Sequence, residues 1–173
     1  MDQGKVMTPK LAALNAASED EFVFVLGPVY EHSPHFARRA AARRPFSDAD
    51  HLRHALRQEV NDADEAEKTA LIMAHPDLVG RVVLTAESQG EQAAAGLGNL
   101  SPEEAELFRR HNAAYREKFG FPFIICARMN KKDAILEAFP RRLQNDADVE
   151  RRTALDEIHK IAALRLHDIL WEN

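Results

Sequence analysis

The sequence predicts an all-α protein: a single compact multi-helix domain over residues 1–173, with no sheet. Three observations carry this expectation. Apolar residues recur at helical spacing through most of the chain, capping signals mark several segment starts, and only FPFIICARM (Phe121 to Met129) reads as strand. One strand cannot make a sheet, and no partner run with hairpin spacing follows it. That stretch is therefore expected as a buried extended segment, or as the start of a helix, held between helices.

The elements follow in order. TPKLAALNAAS opens with Thr8 as N-cap and Pro9 at the first helical position. SEDEFVFVLG places Ser18 and Glu21 at capping-box spacing and closes at Gly27. A proline-marked break, GPVYEHSP, leads into a short arginine-rich helix from near His35. Ser47 is expected to open the next helix, with Leu52, Ala55, Leu56 and Val60 on one stripe. DADEAEKTALIMAHP continues as a helix that Pro76 ends, because proline disfavours helical geometry in the residue before it. SPEEAELFRRHNAAYREKFG is the clearest helix, with Ser101 as cap, Pro102 in the first turn, Glu104 for the capping box and Gly120 at the end. NKKDAILEAFPRRLQ is amphipathic, with Pro140 as its kink or end. The final helix repeats Leu155, Ile158, Ile161, Ala162, Leu166 and Ile169 at helical spacing.

Composition narrows the function classes. The 173 residues are 45% hydrophobic and 29% charged, which suits a packed globular chain and not a disordered one. A net charge of −5 spread over the length argues against nucleic acid as a partner. The arginines of RRAAARR (Arg38 to Arg44) and of the pair RR at Arg141 and Arg142 read as solvated helix faces. Cys126 is the single cysteine, so no internal disulfide forms. Its apolar setting favours a buried, inert thiol. No apolar run reaches the ~18 residues of a membrane span and no N-terminal signal pattern appears, so a cytoplasmic location is the expectation.

Eight histidines raise the question of a metal. The pairs His32/His35 and His51/His54 lack both the His-Glu-x-x-His arrangement and nearby cysteines, so no metal is expected. Motifs for dinucleotide, phosphate-loop or nucleophile-elbow chemistry are absent, and no cofactor is expected. His75 differs from the other histidines, because it sits between LIMA and Pro76 at the mouth of a buried helix. A histidine there either donates to a terminal carbonyl or acts as an acid and base near neutral pH. The stretch AESQGEQAAAGLGNL follows closely behind. It is either a Gly-rich turn or a polar pocket wall, because Ser88, Glu91 and Gln92 fall at i, i+3 and i+4 on one helical face. A hydroxyl, a carboxylate and an amide together offer donors and acceptors to a heterocycle rich in N–H and C=O groups.

AHPDLVG, TAESQGEQAAAGL and KFGFPFIICARM, in this order and at these separations, resemble the OHCU decarboxylases, which act on 2-oxo-4-hydroxy-4-carboxy-5-ureidoimidazoline. The likeness runs from FVLGPVYEHSP to IAALRLHDIL. It implies an all-helical, cofactor-free homodimer that converts this last intermediate of urate oxidation to (S)-allantoin. By the resemblance, His75 is the catalytic histidine, with Pro76 lining the substrate, and Glu91 is its acidic partner. Ser88 and Gln92 bind substrate, Phe123, Ile124, Ile125, Cys126 and Ala127 contact the ring through their backbone, and Arg165 completes the catalytic set. One departure is visible: Ser33-Pro34-His35 stands where the family commonly has Ser-Pro-Trp, which alters an aromatic position.

The implied chemistry suits the residues. Decarboxylation leaves an electron pair on carbon, and without a pyridoxal phosphate or thiamine site the substrate itself must hold it. His75 then serves as general acid and base, and Arg165 orients or balances a carboxylate. The rival reading is a helical module that binds a ureide without turning it over. Retention of both His75 and Glu91 favours the enzyme.

Overall fold

The computed structural model describes residues 3–80 and 84–171. Among these residues every regular element is helical, as the capping and periodicity signals predict. The chain divides into two compact units, Met1–Leu71 with Ile161–Asn173, and Ile72–Lys160.

The first unit begins with α1 (Pro9–Ala16), where Thr8 Oγ1 accepts the Leu11 N–H at 3.0 Å. In α2 (Glu19–Leu26) Ser18 Oγ does the same for Glu21 at 3.1 Å. Both caps satisfy N–H groups that a helix start leaves without partners. Next come α3 (His35–Ala41) and α4 (Ala49–Asn61). The cap of α4 is Asp48, not Ser47: Asp48 Oδ1 accepts the His51 N–H at 2.7 Å, while the Ser47 N–H donates to His51 Nδ1 at 3.0 Å. Both residues are good caps, so the choice lay in one residue of register that composition does not resolve. Leu11, Phe22, Phe36, Leu52 and Val60 are fully buried and form this unit's core. The arginines of α3 and its following turn are paired: Arg38 with Glu19, Arg39 with Glu67 and Arg43 with Glu59. All three are about half exposed, so each pair is worth ~0–1 kcal/mol.

The unit boundaries fall inside two helices, α5 (Glu65–Met73) and α9 (Ala147–Trp171). The second unit holds α6 (Ala86–Ala94), α7 (Pro102–Phe119), α8 (Lys132–Leu143) and the start of α9. Ser101 and Glu104 make the complete capping box at the start of α7, and Gly120 ends it at φ 78°, a left-handed conformation that glycine adopts without a Cβ clash. Pro140 does not end α8, which runs on to Leu143. The proline forgoes the one N–H that would bond the Leu136 carbonyl, and the helix continues past it. Two residues later Arg142 is held by tertiary partners, which draws the helix onward.

Those partners form a polar cluster beside the apolar core of the second unit. Glu150 is fully buried and Arg142 is 3% exposed, so of the RR pair read as a solvated face only Arg141 lies at the surface. Arg142 Nε donates to Glu150 Oε1 at 2.8 Å, the Tyr115 hydroxyl donates to the same oxygen at 2.5 Å, and Asn145 Nδ2 donates to Oε2 at 2.8 Å. The guanidinium also lies 4.2 Å above the centroid of the Phe123 ring. Beside this cluster Phe123 stacks on Phe139 at 3.8 Å, and Phe108, Tyr115 and Ile135 complete the packing. Residues 122–126 form no helix, turn, bend or strand pairing, Cys126 has an extended backbone, and Phe123 to Ala127 are all buried. Of the two conformations open to this segment in the sequence, the chain takes the extended one. A 3-10 turn over Ala127–Met129 then packs against α6.

Candidate functional site

The second unit contains all but one of the residues singled out in the sequence. His75 lies two residues beyond the end of α5, 7% exposed, with its N–H donating to the Ile72 carbonyl at 3.2 Å. It therefore sits in the turn that closes α5, where Pro76 prevents further helix; the helix is not buried as a whole, since only Leu71 and Ile72 at its end are covered. The loop after it is fixed by three separate contacts. Arg116 Nε reaches Asp77 Oδ1 at 2.9 Å, Asn112 Nδ2 donates to the Leu78 carbonyl at 2.7 Å, and the Val79 N–H donates to Gln92 Oε1 at 3.1 Å. Val79 has φ 58°, a conformation that costs a β-branched residue energy and persists only under outside constraint. The Gln92 and Asn112 contacts supply that constraint.

Ser88, Glu91 and Gln92 all lie on α6, whose start is capped by Thr85 Oγ1 accepting the Ser88 N–H at 3.2 Å. Ser88 is buried, while Glu91 and Gln92 are half-buried. AESQGEQAA is thus helix and not a Gly-rich turn, and the chain breaks only beyond Ala95, with Gly96 at φ 87°. The end of α6 is tied down by the Lys132 N–H on the Ala95 carbonyl at 3.1 Å and by Lys131 Nζ on the Ala94 carbonyl at 2.9 Å. A cation there also complements the negative end of the helix dipole.

Phe123 to Ala127 is held from the helices around it. Arg142 Nη1 donates to the Ile124 carbonyl at 2.6 Å, Glu157 Oε1 accepts the Cys126 N–H at 3.0 Å, and Asn130 Nδ2 donates to the Cys126 carbonyl at 2.9 Å. The Ile125 peptide takes part in none of these bonds. Burial pushes the Cys126 thiol above its ordinary pKa, and the carboxylates of Glu157 and Glu91 add to the effect. This is the inert thiol the apolar run predicts. The turn that follows this segment packs against α6, the helix that carries Glu91.

The structure thus brings together the loop after His75, the polar face of α6 and the segment 123–127. Arg165 lies in the first unit, 4% exposed. Its Nη2 donates to Glu31 Oε2 at 2.8 Å and its Nη1 to the Pro28 carbonyl at 2.9 Å. Glu31, itself 2% exposed, was not singled out in the sequence. Its signal was a carboxylate inside the otherwise uncharged break GPVYEHSP, which needs a cation if it is to be buried. Glu157 was missed likewise, because it reads as an ordinary charged position on α9.

Comparison with known proteins bears on the family of the whole chain. A family model described as OHCU decarboxylase matches residues 15–167. The chain is 46% identical over 156 residues to a 2-oxo-4-hydroxy-4-carboxy-5-ureidoimidazoline decarboxylase of Haloferax volcanii, covering 90% of this chain and 93% of that protein. Among solved structures, an (S)-allantoin synthase superposes with a TM-score of 0.73 at 30% identity, over 92% of this chain and 54% of the other. An OHCU decarboxylase crystallised with (S)-allantoin gives 0.70 at 26% identity, over 88% and 99%. With family match, relatives and structures in agreement, the chain belongs to the OHCU decarboxylase family.

Proposed function

We propose that the protein decarboxylates 2-oxo-4-hydroxy-4-carboxy-5-ureidoimidazoline to (S)-allantoin and carbon dioxide. The observation that supports this most is the convergence of the His75 loop with the polar face of α6 through the Val79–Gln92 contact. The bond that breaks joins the carboxylate to the hydroxyl-bearing ring carbon. Its electron pair forms a C=C bond to the ureido-bearing carbon while the nitrogen of the neighbouring C=N takes up a proton, giving an enol. Loss of the hydroxyl proton makes the ring carbonyl of allantoin, and a proton added at the ureido-bearing carbon sets the single stereocentre. His75 is the acid and base for these proton movements. Glu91 fixes the imidazole tautomer or accepts from a ring N–H. Removal of water from the pocket strengthens each of these contacts.

Roles for the binding residues follow from the hydrogen bonds already made. Gln92 commits its Oε1 to Val79, so its Nε2 is the group offered to a substrate carbonyl. Ser88 holds the ureido arm, and Pro76 lines the ring. In an extended chain, main-chain groups of alternate residues point to opposite sides. Ile124 and Cys126 are bonded on one side, which leaves the Ile125 N–H and C=O on the other, facing an amide edge of the ring between Phe123 and Ala127. The assignment of Arg165 to the catalytic set rests on the family resemblance alone. The homodimer and cytoplasmic location belong to the same reading; no described helix is long and apolar enough to cross a membrane.

The test is loss of freshly generated substrate, followed in the ultraviolet, with and without the protein. The wild type is expected to exceed the spontaneous rate. Gln92→Glu keeps an acceptor for Val79 but removes the Nε2 donor, so KM is expected to rise about tenfold with the fold unchanged. A wild-type rate no faster than spontaneous decay would leave a ureide-binding module as the reading.

A further inference from the structure

Two carboxylates of α9, Glu150 and Glu157, stand seven residues apart and so share one helical face. Both bear on the same short stretch of extended chain. Glu150 anchors Arg142, whose Nη1 holds the Ile124 carbonyl at 2.6 Å. Glu157 takes the Cys126 N–H directly at 3.0 Å. The other oxygen of Glu157 is held by Lys160 Nζ at 2.5 Å, so its carboxylate is fixed from both ends. Glu157 is 7% exposed, so the hydrogen bond it accepts from the Cys126 N–H is shielded from competing water.

We propose that Glu157 is a positioning residue for substrate binding, acting through the Cys126 peptide to set the orientation of the Ile125 N–H and C=O. The proposal rests on the decarboxylase reading. The two clamps, Arg142 on Ile124 and Glu157 on Cys126, flank Ile125 and hold one edge of the segment. The opposite edge is then presented in a fixed register to a ring that carries its own N–H and C=O. A segment with no strand neighbour has no ladder to hold that register, so side chains from α8 and α9 take the part a neighbouring strand would play. Releasing the Cys126 N–H lets the peptide turn, which spoils binding before it touches the proton chemistry at His75.

Three variants separate this role from a plain stabilising one. Glu157→Gln keeps an oxygen acceptor for the Cys126 N–H and is expected to bind substrate as the wild type does. Glu157→Met removes the acceptor, and Glu157→Asp draws it back by one methylene. Both are expected to raise KM about tenfold while kcat changes less than threefold. Hydrogen exchange at the Cys126 amide, read by NMR, is expected to be at least about tenfold faster in Glu157→Met and Glu157→Asp than in the wild type and Glu157→Gln. Wild-type KM in Glu157→Asp or Glu157→Met, or equal losses in Glu157→Gln, would overturn the proposal. If the wild type itself fails to accelerate decay of the substrate, the decarboxylase reading fails. The exchange comparison then judges the clamp alone, and unchanged Cys126 exchange overturns it.

Discussion

His75→Ala is expected to lower kcat by about 10²–10⁴-fold, the range associated with a positioned general acid or base. The loss should appear in kcat and kcat/KM together, because the imidazole acts on protons in the transition state and contributes little to ground-state binding. The backbone at this position need not change. The N–H of residue 75 bonds to the Ile72 carbonyl whatever the side chain, and Pro76 still ends the helix. His75→Asn makes the test sharper, since an amide keeps hydrogen bonding and bulk but does not titrate near neutrality. Stopped-flow rates on substrate generated in place, with far-ultraviolet circular dichroism as the control for folding, supply both numbers. Near-full kcat in a folded His75→Asn would move the proton chemistry to another group, Glu91 first.

The largest expected effect on stability comes from the buried ion pair of the second unit. Glu150→Leu leaves the Arg142 guanidinium without its carboxylate in a site where Arg142 is only 3% exposed. It also strips the Tyr115 hydroxyl and the Asn145 amide of their acceptor. Breaking such a pair from one side costs about 3–5 kcal/mol. That is a large share of the ~5–15 kcal/mol by which folded domains are stable. At about 2–4 °C per kcal/mol for a chain of this size, Tm should fall by on the order of 10 °C. Glu150→Gln keeps an acceptor and loses only the charge, so its loss should be smaller. Urea unfolding measures both. A Glu150→Leu cost under about 1 kcal/mol, no more than a surface pair gives, would mean the pair is not desolvated in solution.

What the sequence made legible divides along local and long-range lines. The caps at Thr8, Ser18 and Ser101 and the stop at Gly120 were readable because each is a contact within three or four residues. His75 and the α6 face were readable for the same reason: a proline and an i, i+3, i+4 spacing are local facts. Asp48 in place of Ser47 was a choice between two adjacent good caps. Pro140 was read as a kink or an end, and the end fails because local preference knows nothing of Arg142 being held two residues later. Glu150 and Glu157 were invisible as partners. Tyr115 and the Cys126 peptide that they accept from come from other elements, and a glutamate on a charged helix looks the same whether it meets water or a buried donor. The left-handed Val79 is likewise unreadable, since the contacts that hold it come from α6 and α7.

The central claim is that this chain makes one enantiomer of allantoin from a substrate that also decays without help. The most direct measurement is circular dichroism of the product, with 2-oxo-4-hydroxy-4-carboxy-5-ureidoimidazoline produced from urate by the two preceding reactions and this protein then added. The account predicts rapid appearance of (S)-allantoin in large enantiomeric excess, lost in His75→Ala. Racemic allantoin at the spontaneous rate, from protein shown to be folded, would contradict it.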